Sequence, residues 1–194
     1  ESATAGFDIV SYTGNGSAGN TVSHSLSAVP HVMIVKNRES VESWMVYHHK
    51  NTAAPETDYL EMDTTGASVD NSNRWNDTAP TSSVFTVGDH AGVNESSVDL
   101  IAYLWTAKQG YSKFGSYAGN GDDDDGPFIY TGFRPAFVMV KVYAGGTGDW
   151  QIYDNKRAGY NAANYRLKPS SSAAEATDEP IDILSNGFKL RNDG

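Results

Sequence analysis

The chain repeats itself at a spacing of 105 residues, and this self-similarity restricts the possible folds more than any other feature. SYTGNG at residues 11–16 recurs as SYAGNG at 116–121, and PHVMIVK at 30–36 recurs as PAFVMVK at 135–141, both at that offset. Trp44 and Tyr47 correspond to Trp150 and Tyr153 at an offset of 106, and Phe85 to Phe188 at 103, so small insertions and deletions separate the later blocks. Two motifs sharing one register mark a structural unit used twice.

Both units have the grammar of strands. PHVMIVK and PAFVMVK are β-branched and aromatic runs opened by Pro, whose fixed φ suits the start of a strand and whose missing N–H is harmless there. They are the expected central strands. Phe7–Thr13 and residues 113–118 lead into GNG turns, and residues 44–48 and 150–154 alternate apolar and polar side chains. Residues 59–62, Val84–Val87 and 99–106 complete the strands of the first unit. No window carries a capped apolar stripe of helical period, so little helix is expected. The sequence predicts an all-β fold of two homologous antiparallel β-sandwich or jelly-roll-like units in tandem, residues 1–108 and 109–194. Only residues 107–110 separate the last strand of the first unit from Tyr111, so a shared core is expected rather than two beads.

The second unit lacks the final strand of the first. There FTVGDH is followed by DLIAYLWT at 99–106, an apolar segment that belongs in a core, whereas Gly194 aligns ahead of that strand. The sheet edge left open is an aggregation hazard unless something covers it. Either the sequence is a piece of a longer chain, or the N-terminal ESATAGFDIV or a neighbouring subunit fills the slot by strand addition.

The chain's chemistry narrows its partners. Lys and Arg total 14 against 24 Asp and Glu, a net charge of −10 that repels phosphate backbones and anionic lipid, so nucleic acid is not expected as a partner. The absence of Cys removes disulfides, thiolate catalysis and sulfur-ligated metals. No apolar run approaches the ~20 residues of a membrane-crossing helix. The first residues have neither the basic nor the apolar region of a signal peptide, and a soluble chain without membrane insertion is expected.

Few arrangements suggest catalysis. His48 and His49 are adjacent and alternate faces of a strand, so they cannot grip one metal from the same side; a solvated strand end is expected. His24, His31 and His90 stand apart, with no GxSxG or HExxH motif near them, and read as surface or packing residues. Glu39, Glu42, Glu61 and Glu95 do not recur at equivalent positions, so the repeat offers no shared acid for glycoside hydrolysis. No catalytic residue is assigned, and a polysaccharide depolymerase is the most distant reading. Asp122, Asp123, Asp124 and Asp125 form a Gly-flanked acidic loop. They are the candidate ligands of a structural calcium, although the spacing lacks the alternation of an EF-hand and a solvated, self-repelling turn is the simpler reading. No other cofactor is expected.

What does repeat is aromatic. In each copy Trp and Tyr stand three residues apart, on opposite faces of a strand, and the expectation is that Trp packs inside while Tyr lies half-exposed. Tyr153, Asn155, Lys156, Arg157 and Tyr160 in YDNKRAGY form the densest polar and aromatic loop. They are the candidate contacts for a glycan, which would make the chain a lectin-like carbohydrate-binding module.

YSKFGSYAGNG (111–121), GPFIYTGFRPAFVMVK (126–141), WQIYDNKRAGYN (150–161) and DILSNGFKLR (182–191) resemble a domain that recurs in virion proteins of marine bacteriophages, commonly in tail-fibre-like or structural polypeptides. HVMIVKNRESVESWMVYH (31–48) and RWNDTAPTSSVFTVG (74–88) carry the likeness through the first unit. The resemblance implies a non-enzymatic phage virion structural module, on a tail fibre or as a capsid decoration. Its partners would be other virion proteins, copies of itself or a host-surface glycan, and its place the extracellular particle. It also implies that the second unit continues into one more apolar strand.

Overall fold

Alternating apolar residues of strand period need a second layer to cover them, and the first half of the chain supplies both layers. In the computed structural model, which describes residues 2–122, 124–159, 161–178 and 180–191, the elements are β1 (Phe7–Thr13), β2 (Asn20–Ser23), β3 (Val32–Asn37), β4 (Met45–His48), β5 (Asp58–Glu61), β6 (Val69–Asp70), β7 (Val84–Val87), α1 (Ala91–Asn94), β8 (Asp99–Trp105), β9 (Phe128–Tyr130), β10 (Phe137–Val140), β11 (Gln151–Asp154), β12 (Ile181–Leu184) and β13 (Gly187–Leu190). Helix is confined to one four-residue segment among the described residues.

The larger sheet runs β1-β8-β3-β4-β5-β6, all antiparallel, and the β2-β7 ribbon forms the second layer. Between them Met33, Val35, Met45, Tyr47, Leu100, Ala102 and Leu104 meet Val22, Phe85 and Val87, with Leu26, Trp75 and Val93 filling the ends. β8 is the centre of this core: Leu100, Ala102 and Leu104 are 0% exposed. Each Leu so buried contributes about 2 kcal/mol. The GNG turn after β1 closes tightly, with Gly14 N–H donating to Val98 O at 2.9 Å. A Cβ on Gly14 would lie 2.1 Å from Glu95 O, so only glycine fits.

The second half builds a smaller core of Val138, Tyr153, Ala163, Ile181, Ile183, Phe188 and Leu190. Its pairings are spaced like those of the first half. Met33↔Tyr47 has its counterpart in Val138↔Tyr153, and Val22↔Phe85 in Ile129↔Phe188. Val46↔Leu60 and Tyr59↔Val69 are matched by the bridges Ile152↔Leu167 and Arg166↔Ala176.

A third core joins the halves. Trp150 inserts against Val46 and Leu60 on the outer face of the large sheet, with Ile34, Met62, Met139 and Tyr143 around it. The indole N–H donates to Glu61 O at 2.8 Å. Ser68 N–H donates to Tyr143 O at 2.9 Å and Gly148 N–H to Thr65 O at 3.0 Å, so backbone pairing reinforces the apolar contact.

Three expectations are corrected. Residues 113–118 form no strand, although they match β1 in sequence. β1 is held along its whole length by β8, and among the described residues of the second half nothing occupies the place of β8. An isolated strand leaves its backbone groups to water and gains nothing by straightening. The N-terminal segment does not fill that slot, because Phe7–Thr13 pairs with β8 inside the first half. Finally, the repeated Trp and Tyr are placed the other way round: Tyr47 and Tyr153 are 3% and 1% exposed, whereas Trp44 lies half-buried on the outer face. Met45 and Tyr47 share the inward face with period two, which turns Trp44 and Val46 outward. Trp150 also faces outward from its own sheet, and is covered by the first half instead.

Candidate functional site

The outer face of the large sheet carries a row of four half-buried aromatic rings. Phe7 and Trp105 are cross-strand partners, their centroids 5.1 Å apart at 33°. Tyr103, two residues before Trp105 and therefore on the same face, lies 6.2 Å from it at 21°. Trp44, immediately before β4, lies 6.4 Å from Tyr103 at 22°. Aromatic rings at these separations attract one another, so the row is ordered by itself as well as by the strands.

At Trp44 the row opens into a cleft of about 260 Å³ lined by Trp44, Met62, Asp63 and Pro169. Trp44 and Met62 belong to neighbouring strand ends of the first half, held together by Met62 N–H donating to Trp44 O at 3.0 Å. Asp63 is fixed as acceptor for the Trp44 N–H at 3.1 Å. Pro169 comes from the second half, where its neighbours are anchored to one carboxylate: Lys168 pairs with Asp149 at 2.8 Å and Ser170 donates to it at 2.8 Å. Those two partners hold the Asp149 carboxyl below its usual range. The cleft therefore has an indole wall, an apolar floor and one exposed carboxylate. That combination suits a sugar ring, whose C–H face stacks on an aromatic surface while its hydroxyls donate to an acceptor. Asp63 is the one carboxylate among the described residues that line it.

The loop expected to meet a glycan is arranged otherwise. Tyr153 faces the core of the second half, and its hydroxyl donates to Gln151 Oε1 at 2.7 Å, so it supplies no surface ring. Arg157 bridges Asp154 at 2.6 Å and Glu175 at 2.5 Å and donates to Ile152 O at 3.1 Å, which commits the guanidinium to closing the turn. Asn155 donates its backbone N–H to Ala136 O at 3.1 Å, and Lys156 is exposed. The cavity beside Asn155 has a volume of about 10 Å³, room for one water and not for a sugar. Tyr160 lies outside the described residues.

The acidic loop uses its own carboxylates. Asp122 Oδ1 accepts from Asp124 N at 3.0 Å and Asp125 N at 2.9 Å, forming a local turn. Asp125 pairs with Lys189 at 2.5 Å, which lowers its pKa. Asp124 is exposed, and Asp123 lies outside the described residues. Among the described residues no three His, Asp or Glu side chains are grouped so as to hold a metal ion.

The histidines form a cluster that sequence spacing did not reveal. Pairing of Val32 with His48 brings His31 beside His49, ring centroids 4.2 Å apart, and His48 lies 5.4 Å from His49. Phe114 of the second half stacks on His31 at 6.4 Å, and its carbonyl lies 3.2 Å from His49 Nε2. His31 Nδ1 accepts from Ala107 N at 2.8 Å. Burial pushes all three imidazoles below their ordinary pKa, and His48, also beside His49 and His31, is brought down to about 4. This strand end is a neutral packing joint rather than a solvated tip.

The chain belongs to the family described as a domain of unknown function (DUF7483), which matches residues 1–194. No curated protein and no solved structure matches it significantly.

Proposed function

We propose that the chain is a non-enzymatic structural module of a virus particle, on a tail fibre or as a capsid decoration, serving assembly and attachment to a host-surface glycan. The observation that carries attachment is the Trp44 cleft: an indole face, an apolar floor and a single carboxylate at the end of an aromatic row. The resemblance of residues 31–48 and 126–141 to a domain of marine phage virions supports the particle setting. The same cleft favours, as the second reading, a carbohydrate-binding module outside any virion.

The test has two parts. Peptides of this chain are expected in purified particles, and their absence there removes the virion setting. The chain, displayed multivalently, is expected to bind a surface polysaccharide on a glycan panel. Trp44→Ala should weaken that binding about tenfold, the loss of roughly 1.4 kcal/mol of stacking. No binding at millimolar monomer and none in multivalent display would overturn attachment through this cleft.

A further inference from the structure

The aromatic row has the form of a track. Phe7 lies level with Trp105, its partner on the next strand. Met45 pairs with Val35 and Val35 with Ala102, so Trp44, one residue before Met45, lies level with Ile101. In the order β1-β8-β3-β4 the row therefore crosses three strand spacings while it moves four residues along β8. On a sheet of ordinary dimensions that diagonal is about 20 Å. Ring-to-ring steps of 5.1, 6.2 and 6.4 Å cover nearly all of it, so the four rings lie close to one line.

The rings also keep their faces. Flat rings in contact lie about 3.5 Å apart. Tyr103 is within 22° of parallel to Trp105 and Trp44 but 6.2 and 6.4 Å from them, so it is shifted sideways by about a ring's width and covers little of either face. All four rings are half-buried, and Ile9, opposite Tyr103 on β1, is 45% exposed beside them.

A line of near-parallel faces, each about a sugar ring from the next, matches an extended linear polysaccharide whose successive pyranose units turn a C–H face to one ring each. A helical or branched sugar would meet one or two of them. Bases of a single-stranded nucleic acid also stack on such rings, but their phosphates need a basic groove. Here the net charge is −10, and Asp63 stands where the row opens into the cleft. Polyanions are repelled, and uronic-acid polymers with them.

We propose that the row and the Trp44 cleft form one elongated site for an uncharged, extended polysaccharide, with one sugar unit to each of the four rings. The proposal rests on the reading of the cleft as a sugar site. It adds the class of polymer and three further contact residues, Phe7, Tyr103 and Trp105.

Cello-oligosaccharides and chito-oligosaccharides of graded length, from one unit to six, test it on the intact chain, with polygalacturonate fragments and an oligothymidylate as charged controls. For at least one uncharged series, affinity should rise about tenfold or more from two units to four and then level off. Trp105→Ala should bring the four-unit affinity down to the two-unit value and leave the two-unit value unchanged, which also shows that the protein is folded. Phe7→Leu, which keeps apolar bulk without a ring, should likewise lower only the four-unit value, whereas Trp44→Ala should lower both. Equal affinity for two units and six, a four-unit affinity unmoved by Trp105→Ala and Phe7→Leu, or tighter binding of either charged control overturns the elongated site and leaves the cleft standing. So does failure of both uncharged series to bind at millimolar concentration when another sugar of the glycan panel binds and is lost in Trp44→Ala. If no sugar of the panel binds, the cleft reading falls and the elongated site with it.

Discussion

Replacing Trp150 by Ala tests whether the two halves stand or fall together. Trp150 is 8% exposed, so nearly all of its side chain is covered, much of it by the other half. An indole of about 200 Å² at ~25 cal/mol/Å² represents roughly 5 kcal/mol of burial, of which the remaining methyl group returns about 1. Removing the N–H also strands Glu61 O, at a cost of about 1 kcal/mol. Partial collapse of the cavity offsets some of this, and the net expectation is 3–5 kcal/mol. With a urea slope of about 2–3 kcal/mol/M, the midpoint should fall by about 1.5 M. The assay follows tryptophan fluorescence, which in Trp150→Ala comes from Trp44, Trp75 and Trp105 of the first half, and amide exchange of β12 and β13 in the second. Both should shift together in Trp150→Ala, and Trp150→Phe should recover most of the loss. A cost below about 1 kcal/mol, or a shift confined to the second half, would refute the shared core.

Two further outcomes follow from buried polar groups. His48 has a folded pKa of about 4 against 6.5 unfolded, so both states are neutral above pH 6.5 and the unfolded chain takes up the proton first as pH falls. Stability contributed by the neutral ring is complete above 6.5 and lost progressively down to 4; between pH 6.5 and 5 the loss is about 2 kcal/mol. Urea unfolding of His48→Gln should show a shallower decline across that window, and an unchanged slope would count against the cluster. Asn94, 0% exposed, accepts from Asn15 N at 2.9 Å and donates to Gly88 O at 2.8 Å and Ser17 O at 2.9 Å. Asn94→Ala should cost about 2–4 kcal/mol by calorimetry, because three backbone groups lose their partner at once; a loss under 0.5 kcal/mol (within ordinary surface-substitution scatter) would exclude the network.

Period and spacing carried much of the architecture. The runs at 30–36 and 135–141 contain β3 and β10, the alternation at 44–48 and 150–154 contains β4 and β11, and Asp99–Trp105 is the buried strand that its composition required. β2, β6, β9 and β12 were not legible: they are two to four residues long, and register with a distant partner, not local pattern, makes them strands. The facing of Trp44 and Trp150 was misread for a related reason. Alternation says that Trp and Tyr point to opposite sides, but which side is the core depends on what the other half brings. The site suffered most. Arg157 looked available because Glu175, which pairs with it, lies eighteen residues away. Trp44, Met62 and Pro169 make a cleft only after the halves dock, and no sequence spacing announces it.

The docking of the halves through Trp150 also changes what the doubled tryptophan means. Two positions matched by the sequence pattern live under opposite constraints: Trp150 is a keystone, where nearly any exchange loosens the body, while Trp44 is a rim residue, free to be exchanged without collapse. Redundancy of this kind lets one copy hold the shape while the other explores. Variation among relatives should accordingly gather at position 44 and spare position 150.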